Sequence, residues 1–142
     1  MKVRELMTQR VIKVHAKELV SVAARTLAHY NVGAVPVCDE EDRLCGILTD
    51  RDIVTRCLAA NQIADKTMVG EIMTSQVYAV QPDTEVSAAA NTMGVHQIRR
   101  LPVVEQGKLC GMVSLGDLAN HEESVYDATN ILGGIMGNIS CR

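Results

Sequence analysis

The chain has 142 residues, room for one compact domain or two very small, mutually dependent ones. Its composition is 47% apolar with no Phe, no Trp and only Tyr30, Tyr78 and Tyr126, so any core must be aliphatic. A formal charge of −3 offers no broad attraction to nucleic acid or anionic membranes, so a bound anion would need a local site.

Taken in chain order, the opening "MKVRELMTQR" carries Lys2, Arg4, Glu5 and Arg10 with no apolar run behind it, which is not a signal peptide. "VIKV" (11–14) reads as a short strand, and residues 18–30 as a helix with Val20, Ala23, Ala24 and Leu27 at helical spacing. "AVPVC" and "LCGIL" are strand-like runs joined by a polar turn, a hairpin pattern. A second helix is expected from about residue 50, with Ile53, Val54, Cys57 and Leu58 on one face. The linker "LAANQIADKT" (58–67) follows, and then the pattern repeats: "VYAV", a helix over 84–96, the hairpin of "RLPVV" and "LCGMV", and a helix from about 116. After Gly133 the sequence reads as a frayed tail or a segment devoted to another chain. The longest uncharged run, "ATNILGGIMGNISC", is too short and too rich in Gly and Asn to cross a bilayer, so a cytoplasmic protein with no membrane partner is expected.

The repetition is literal. With a shift of 66, 13 of the 36 positions from Val3 to Cys38 are identical, and one residue is lost where "DEEDR" becomes "EQGK". "LCGILTDRD" then aligns with "LCGMVSLGD". The expected organisation is α+β, a β-α-β-β-α unit written twice, over 1–65 and 66–124, with a tail at 125–142. A unit of about 60 residues buries too little surface to be comfortable alone, so the copies should pack together.

Both copies place a hydroxyl, two spacers and an aspartate where the hairpin's second strand enters a helix: Thr49 with Asp52, and Ser114 with Asp117. The plainer reading is a capping box, the hydroxyl accepting from an early helical N–H and the carboxylate reaching back, with a value of ~1 kcal/mol. The sharper reading is a ligand corner, with the hydroxyl donating to a phosphate and the acceptor-only carboxylate receiving two ribose hydroxyls. The residues alone leave both open.

Tandem units with this order of "MT", "PV" and the hydroxyl–aspartate corner resemble a pair of CBS domains, the Bateman module, from Val3 to about Leu118. The resemblance implies two motifs packed sheet to sheet about a pseudo-twofold axis, with clefts for adenosyl ligands such as AMP, ADP, ATP or S-adenosylmethionine. It implies no catalysis, no required cofactor, a homodimer and an unknown protein target. Matched residue by residue, Thr49 and Ser114 fall on phosphate-side hydroxyls, Asp52 and Asp117 on ribose carboxylates, and Ile12 and Tyr78 on the adenine-lining segments. Arg100, next to Arg99, falls on a phosphate-holding position, against an equally open reading as solvated arginines. Arg51 could reach a phosphate from copy one, which made that copy the expected ligand site. Its counterpart is Gly116, so the clefts cannot be equivalent.

Two other readings come from different classes. One is a structural or interaction module whose clefts are vestigial. The other is a thiol or metal sensor using the equivalent Cys45 and Cys110; five cysteines without a C-x-x-C and four scattered histidines favour free, packed thiols instead.

Overall fold

The computed structural model describes residues 1–120. They form two compact units. The early unit comprises residues 12–77 and 107–109, and the late unit residues 1–11, 78–106 and 110–120.

In the early unit β1 (Val14–His15), α1 (Val20–Tyr30), β2 (Ala34–Cys38) and β3 (Leu44–Thr49) come first. The helix α2 (Asp50–Asp52) follows and continues as π-helical turns over Ile53–Leu58, and the short α3 (Val69–Ile72) closes the unit. Its sheet has the order β1-β2-β3, with β1 parallel to β2 and β2 antiparallel to β3. In the late unit a 3₁₀ turn (Val3–Glu5) joins α4 (Val86–His96), β4 (Arg100–Glu105), β5 (Lys108–Ser114, from Cys110 onward in this unit) and α5 (Leu115–Ala119). β4 and β5 form its sheet, linked through Gln106 and Gly107. Both have positive φ, as the favoured two-residue hairpin turn demands.

The long helices follow their expected stripes. α1 buries Val20, Ala23 and Leu27; α4 buries Val86, Ala89, Ala90 and Met93. Each ends on a left-handed residue, Asn31 or Gln97. The next N–H then bonds back five residues, Val32 to Leu27 O and Ile98 to Met93 O, both at 3.0 Å. That closure satisfies carbonyls a helix end leaves open. Each unit has its own core, of which Val35, Val37 and Leu48 in the early unit and Leu101, Val103 and Val113 in the late unit are almost wholly buried. All are aliphatic. Burial of each such side chain contributes roughly 1.5–3 kcal/mol.

Two expectations need correction. "VIKV" and "VYAV" are not full strands. The first pairs only at Val14 and His15, and the second makes a single parallel bridge, Val80 with Val103, because only the last valine of each run is buried against the hairpin. Ile53, Val54, Cys57 and Leu58 do not share one buried face either. Cys57 is buried, but Val54 is 55% and Leu58 60% exposed. The bonds from Ala59 N–H to Val54 O and Gln62 N–H to Cys57 O span five residues, and the wider turn breaks the α-helical stripe.

The two "MT" segments are exchanged between the sequence halves. "VRELMT", from the start of copy one, lies in the late unit, where Thr8 pairs with Met112 of β5. "VGEIMT", from the start of copy two, lies in the early unit, where Thr74 pairs with Ile47 of β3. This explains the glycine of "LCG". A Cβ on Gly46 would lie 2.6 Å from Thr74 O, and one on Gly111 3.0 Å from Thr8 O. Only a residue without a side chain lets the segment dock so closely.

Candidate functional site

The strand-to-helix corners are built alike. β3 delivers Thr49 in an extended conformation, and Thr49 Oγ1 accepts from Asp52 N–H at 3.0 Å while Asp52 Oδ2 accepts from Thr49 N–H at 3.1 Å. β5 delivers Ser114 in the same conformation, with Asp117 N–H to Ser114 Oγ at 3.1 Å and Ser114 N–H to Asp117 Oδ2 at 2.7 Å. Both capping boxes are therefore closed. Each hydroxyl acts there as an acceptor, and among the described residues neither donates its proton to a protein group.

Beyond the boxes the corners diverge. Asp52 is only 6% exposed. Thr74 Oγ1 donates to it, 3.2 Å from each carboxylate oxygen, and Arg56 Nε lies 3.8 Å from Oδ1. Arg56 also donates through Nη1 to Ile72 O at 3.3 Å and Met73 O at 3.1 Å, fastening the segment that carries Thr74. Asp117 is half-buried, and Ser114 supplies its only hydrogen bonds among the described residues.

Charge differs as well. In the early unit Asp50 donates its N–H to Gly33 O, and its Oδ1 accepts from Arg51 N–H at 2.8 Å, which puts a carboxylate beside the exposed Arg51. At the matching late positions Leu115 N–H donates to Arg99 O at 2.7 Å, so Arg99 replaces Gly33 and Leu115 replaces Asp50. Arg99 and Arg100 are both exposed. One corner thus mixes acid and base, and the other is cationic apart from Asp117.

The aromatic position also falls in the late unit. Tyr78, 38% exposed, stacks on His96 with ring centroids 3.6 Å apart and planes 15° from parallel. Its early counterpart, Ile12, packs half-buried against the aliphatic core. The late unit therefore gathers Tyr78, Arg99, Arg100, Ser114 and Asp117, and the early unit Ile12, Thr49, Arg51 and Asp52. Arg56 and Thr74 escaped the sequence reading. The repeated "MT" was visible, but nothing local says that the second threonine meets the first copy's aspartate.

The thiols are quiet. Burial pushes Cys45 and Cys110 above the ordinary thiol range, and their Sγ atoms lie 3.5 Å from Arg43 O and 3.4 Å from Val103 O. Cys38 is pushed up to about 11, chiefly by burial. Among the described residues no cluster of three or more His, Cys, Asp or Glu could hold a metal, and no helix is long and apolar enough to cross a membrane.

Two repeated α+β units, each with a glycine-docked "MT" segment and a capped hydroxyl–aspartate corner, define a tandem two-unit module. The chain belongs to the CBS-domain family, whose model matches residues 3–59 and 69–124. It is similar to Hypoxic response protein 1 of Mycobacterium tuberculosis, 36% identical over 118 residues, 83% of this chain and 82% of that protein. It is also similar to the CBS domain-containing protein YhcV of Bacillus subtilis, 39% identical over 138 residues, 97% and 94% of the two chains. The solved structure of Hypoxic Response Protein I, with two coordinated zinc ions, superposes with a TM-score of 0.77 over 85% of this chain and 98% of that one. The CBS domain pair of protein MJ0100, solved with 5-methylthioadenosine and S-adenosyl-L-methionine, is 30% identical with a TM-score of 0.70, covering 84% and 97%.

Proposed function

We propose that this CBS pair is a cytoplasmic regulatory module without catalysis of its own. It binds an adenosyl ligand of the AMP, ADP, ATP or S-adenosylmethionine class and signals to a protein target by a change of shape. The observation that carries the reading is Asp117. Its Oδ2 closes the cap with Ser114, and among the described residues its second oxygen accepts no hydrogen bond, leaving it for ribose hydroxyls in this reading. Among the described residues Ser114 retains a proton to donate, Arg99 and Arg100 supply charge for a phosphate, and Tyr78 supplies an aromatic ring to the adenine-lining segment. The adenosyl ligands in the MJ0100 domain pair support the ligand class. The exposed Val54 and Leu58 support a homodimer; Val125, Ile131 and Leu132, the other apolar residues expected to take part, lie outside the described residues.

A thermal-shift panel of AMP, ADP, ATP, S-adenosylmethionine and the guanosine counterparts tests the reading. Ligand at 100 times its Kd stabilises the fold by about 2.7 kcal/mol, which raises Tm by several degrees. No shift with any adenosyl ligand at millimolar concentration would leave the corners as caps, the reading their closed hydrogen bonds also serve. A metal role has one observation in its favour, the zinc in the relative's structure. A chelator that lowers Tm would favour it.

A further inference from the structure

We propose, resting on the adenosyl reading above, that the early corner is latched shut by the protein itself and that the chain takes one adenosyl ligand rather than two. In this account Thr74 decides the stoichiometry and Arg56 positions it. An ionised carboxylate binds ribose by accepting from its hydroxyls. On Asp52 that role is already filled by a protein hydroxyl, Thr74 Oγ1, 3.2 Å from both oxygens.

The main chain does not cause this difference. Thr74 exchanges backbone hydrogen bonds with Ile47 at 2.8 and 2.9 Å, and Thr8 exchanges the same pair with Met112 at 2.8 and 3.0 Å. Yet Thr8 is exposed and, among the described residues, leaves Asp117 untouched, whereas Thr74 is half-buried against Asp52. The early corner also holds Arg56, which bonds the two carbonyls just before Thr74 and lies alongside the carboxylate. The late position equivalent to Arg56 is His121, outside the described residues. A ribose entering the early corner competes with Thr74 and Arg56 for the carboxylate, and to take the Thr74 position it must strand that hydroxyl in a partly buried place. Such an exchange weakens binding by about tenfold or more.

Isothermal titration of the full chain with AMP, and separately with S-adenosyl-L-methionine, gives the count. The wild type should bind one equivalent per chain. Thr74→Val, which keeps the volume and removes the hydroxyl, should add a second equivalent, and Thr74→Ser should keep one. Arg56→Gln should act in the direction of Thr74→Val, more weakly. Should Thr74→Val not fold, the wild-type count and a loss of about tenfold or more with Asp117→Asn still decide whether the late corner is the single site. Two equivalents in the wild type, or one in a folded Thr74→Val, would overturn the latch while leaving the adenosyl reading intact. No binding of either probe in any variant would overturn both.

Discussion

The two corners share a backbone and a capping box and differ in what their aspartates touch. Asp52 is buried among Thr49, Thr74 and Arg56; Asp117 is half-buried and bonded within its own cap. Duplication supplied two copies of one device, and substitution around them divided the work. The early corner binds elements of the protein to one another; in the proposed reading the late one keeps its carboxylate and its cations for a ligand. Sequence favoured the early copy because Arg51 stands in it. The geometry favours the late copy, because an aspartate already satisfied by a threonine and an arginine has little left to offer.

The comparison can be broken first at the glycines. In Gly46→Ala the new Cβ meets a backbone oxygen at 2.6 Å, whereas in Gly111→Ala its nearest neighbour is the flexible Met7 sulfur at 2.8 Å. Gly46→Ala should cost about 3 kcal/mol and Gly111→Ala distinctly less, measured by urea unfolding. Equal costs would mean that the two segments dock with equal tolerance. The aspartates come next. Asp52→Ala removes a cap and strands the Thr74 hydroxyl, for about 2–3 kcal/mol, while Asp117→Ala removes a cap alone, for about 1 kcal/mol. The reverse order would contradict the division of roles.

Arg100→Ala sharpens the late corner. Affinity for AMP should fall severalfold and lose part of its salt dependence, while affinity for the uncharged 5-methylthioadenosine should hold. Equal losses for both ligands would remove Arg100 from the phosphate. The smallest effect concerns Glu18 and its late counterpart Thr84. Thr84 Oγ1 accepts from Gln81 N–H at 3.0 Å, but Glu18 Oε2 is buried and finds no hydrogen-bond partner among the described residues. Burial raises the Glu18 carboxyl above the ordinary glutamate value, with His15 opposing. Its ionisation therefore opposes folding: the penalty is absent below the unfolded pKa and is fully in force once pH has risen through the folded one. Glu18→Gln should raise Tm by about 1 °C at pH 7 and not at pH 3, and thermal melts at the two pH values check this.

Much of this was legible in the chain. The 66-residue repeat shows in the chain's identity with itself, and the stripes of α1 and α4 and both capping boxes follow from spacings within a dozen residues, where local geometry dominates. The exchange of the "MT" segments was not legible. Which copy a segment packs against is a long-range choice, and both copies offer it the same glycine and the same strand. Arg56 lies one turn beyond Asp52 and could have been suspected as its ion-pair partner. Its second attachment, to carbonyls of residues 72 and 73, depends on that exchange. Alignment pairs Ile12 with Tyr78, but only the fold sets Tyr78 against His96.

The division of roles is tested most directly by titrating AMP and S-adenosyl-L-methionine into Asp52→Asn and Asp117→Asn. The amide keeps an acceptor for the cap and removes the charge a ribose would use. Asp117→Asn should lose about 1.5–3 kcal/mol of binding, roughly 10- to 150-fold, with an unliganded Tm close to that of the wild type. Asp52→Asn should lower the unliganded Tm and leave affinity within about twofold of the wild type. Binding lost in Asp52→Asn and retained in Asp117→Asn would contradict the account.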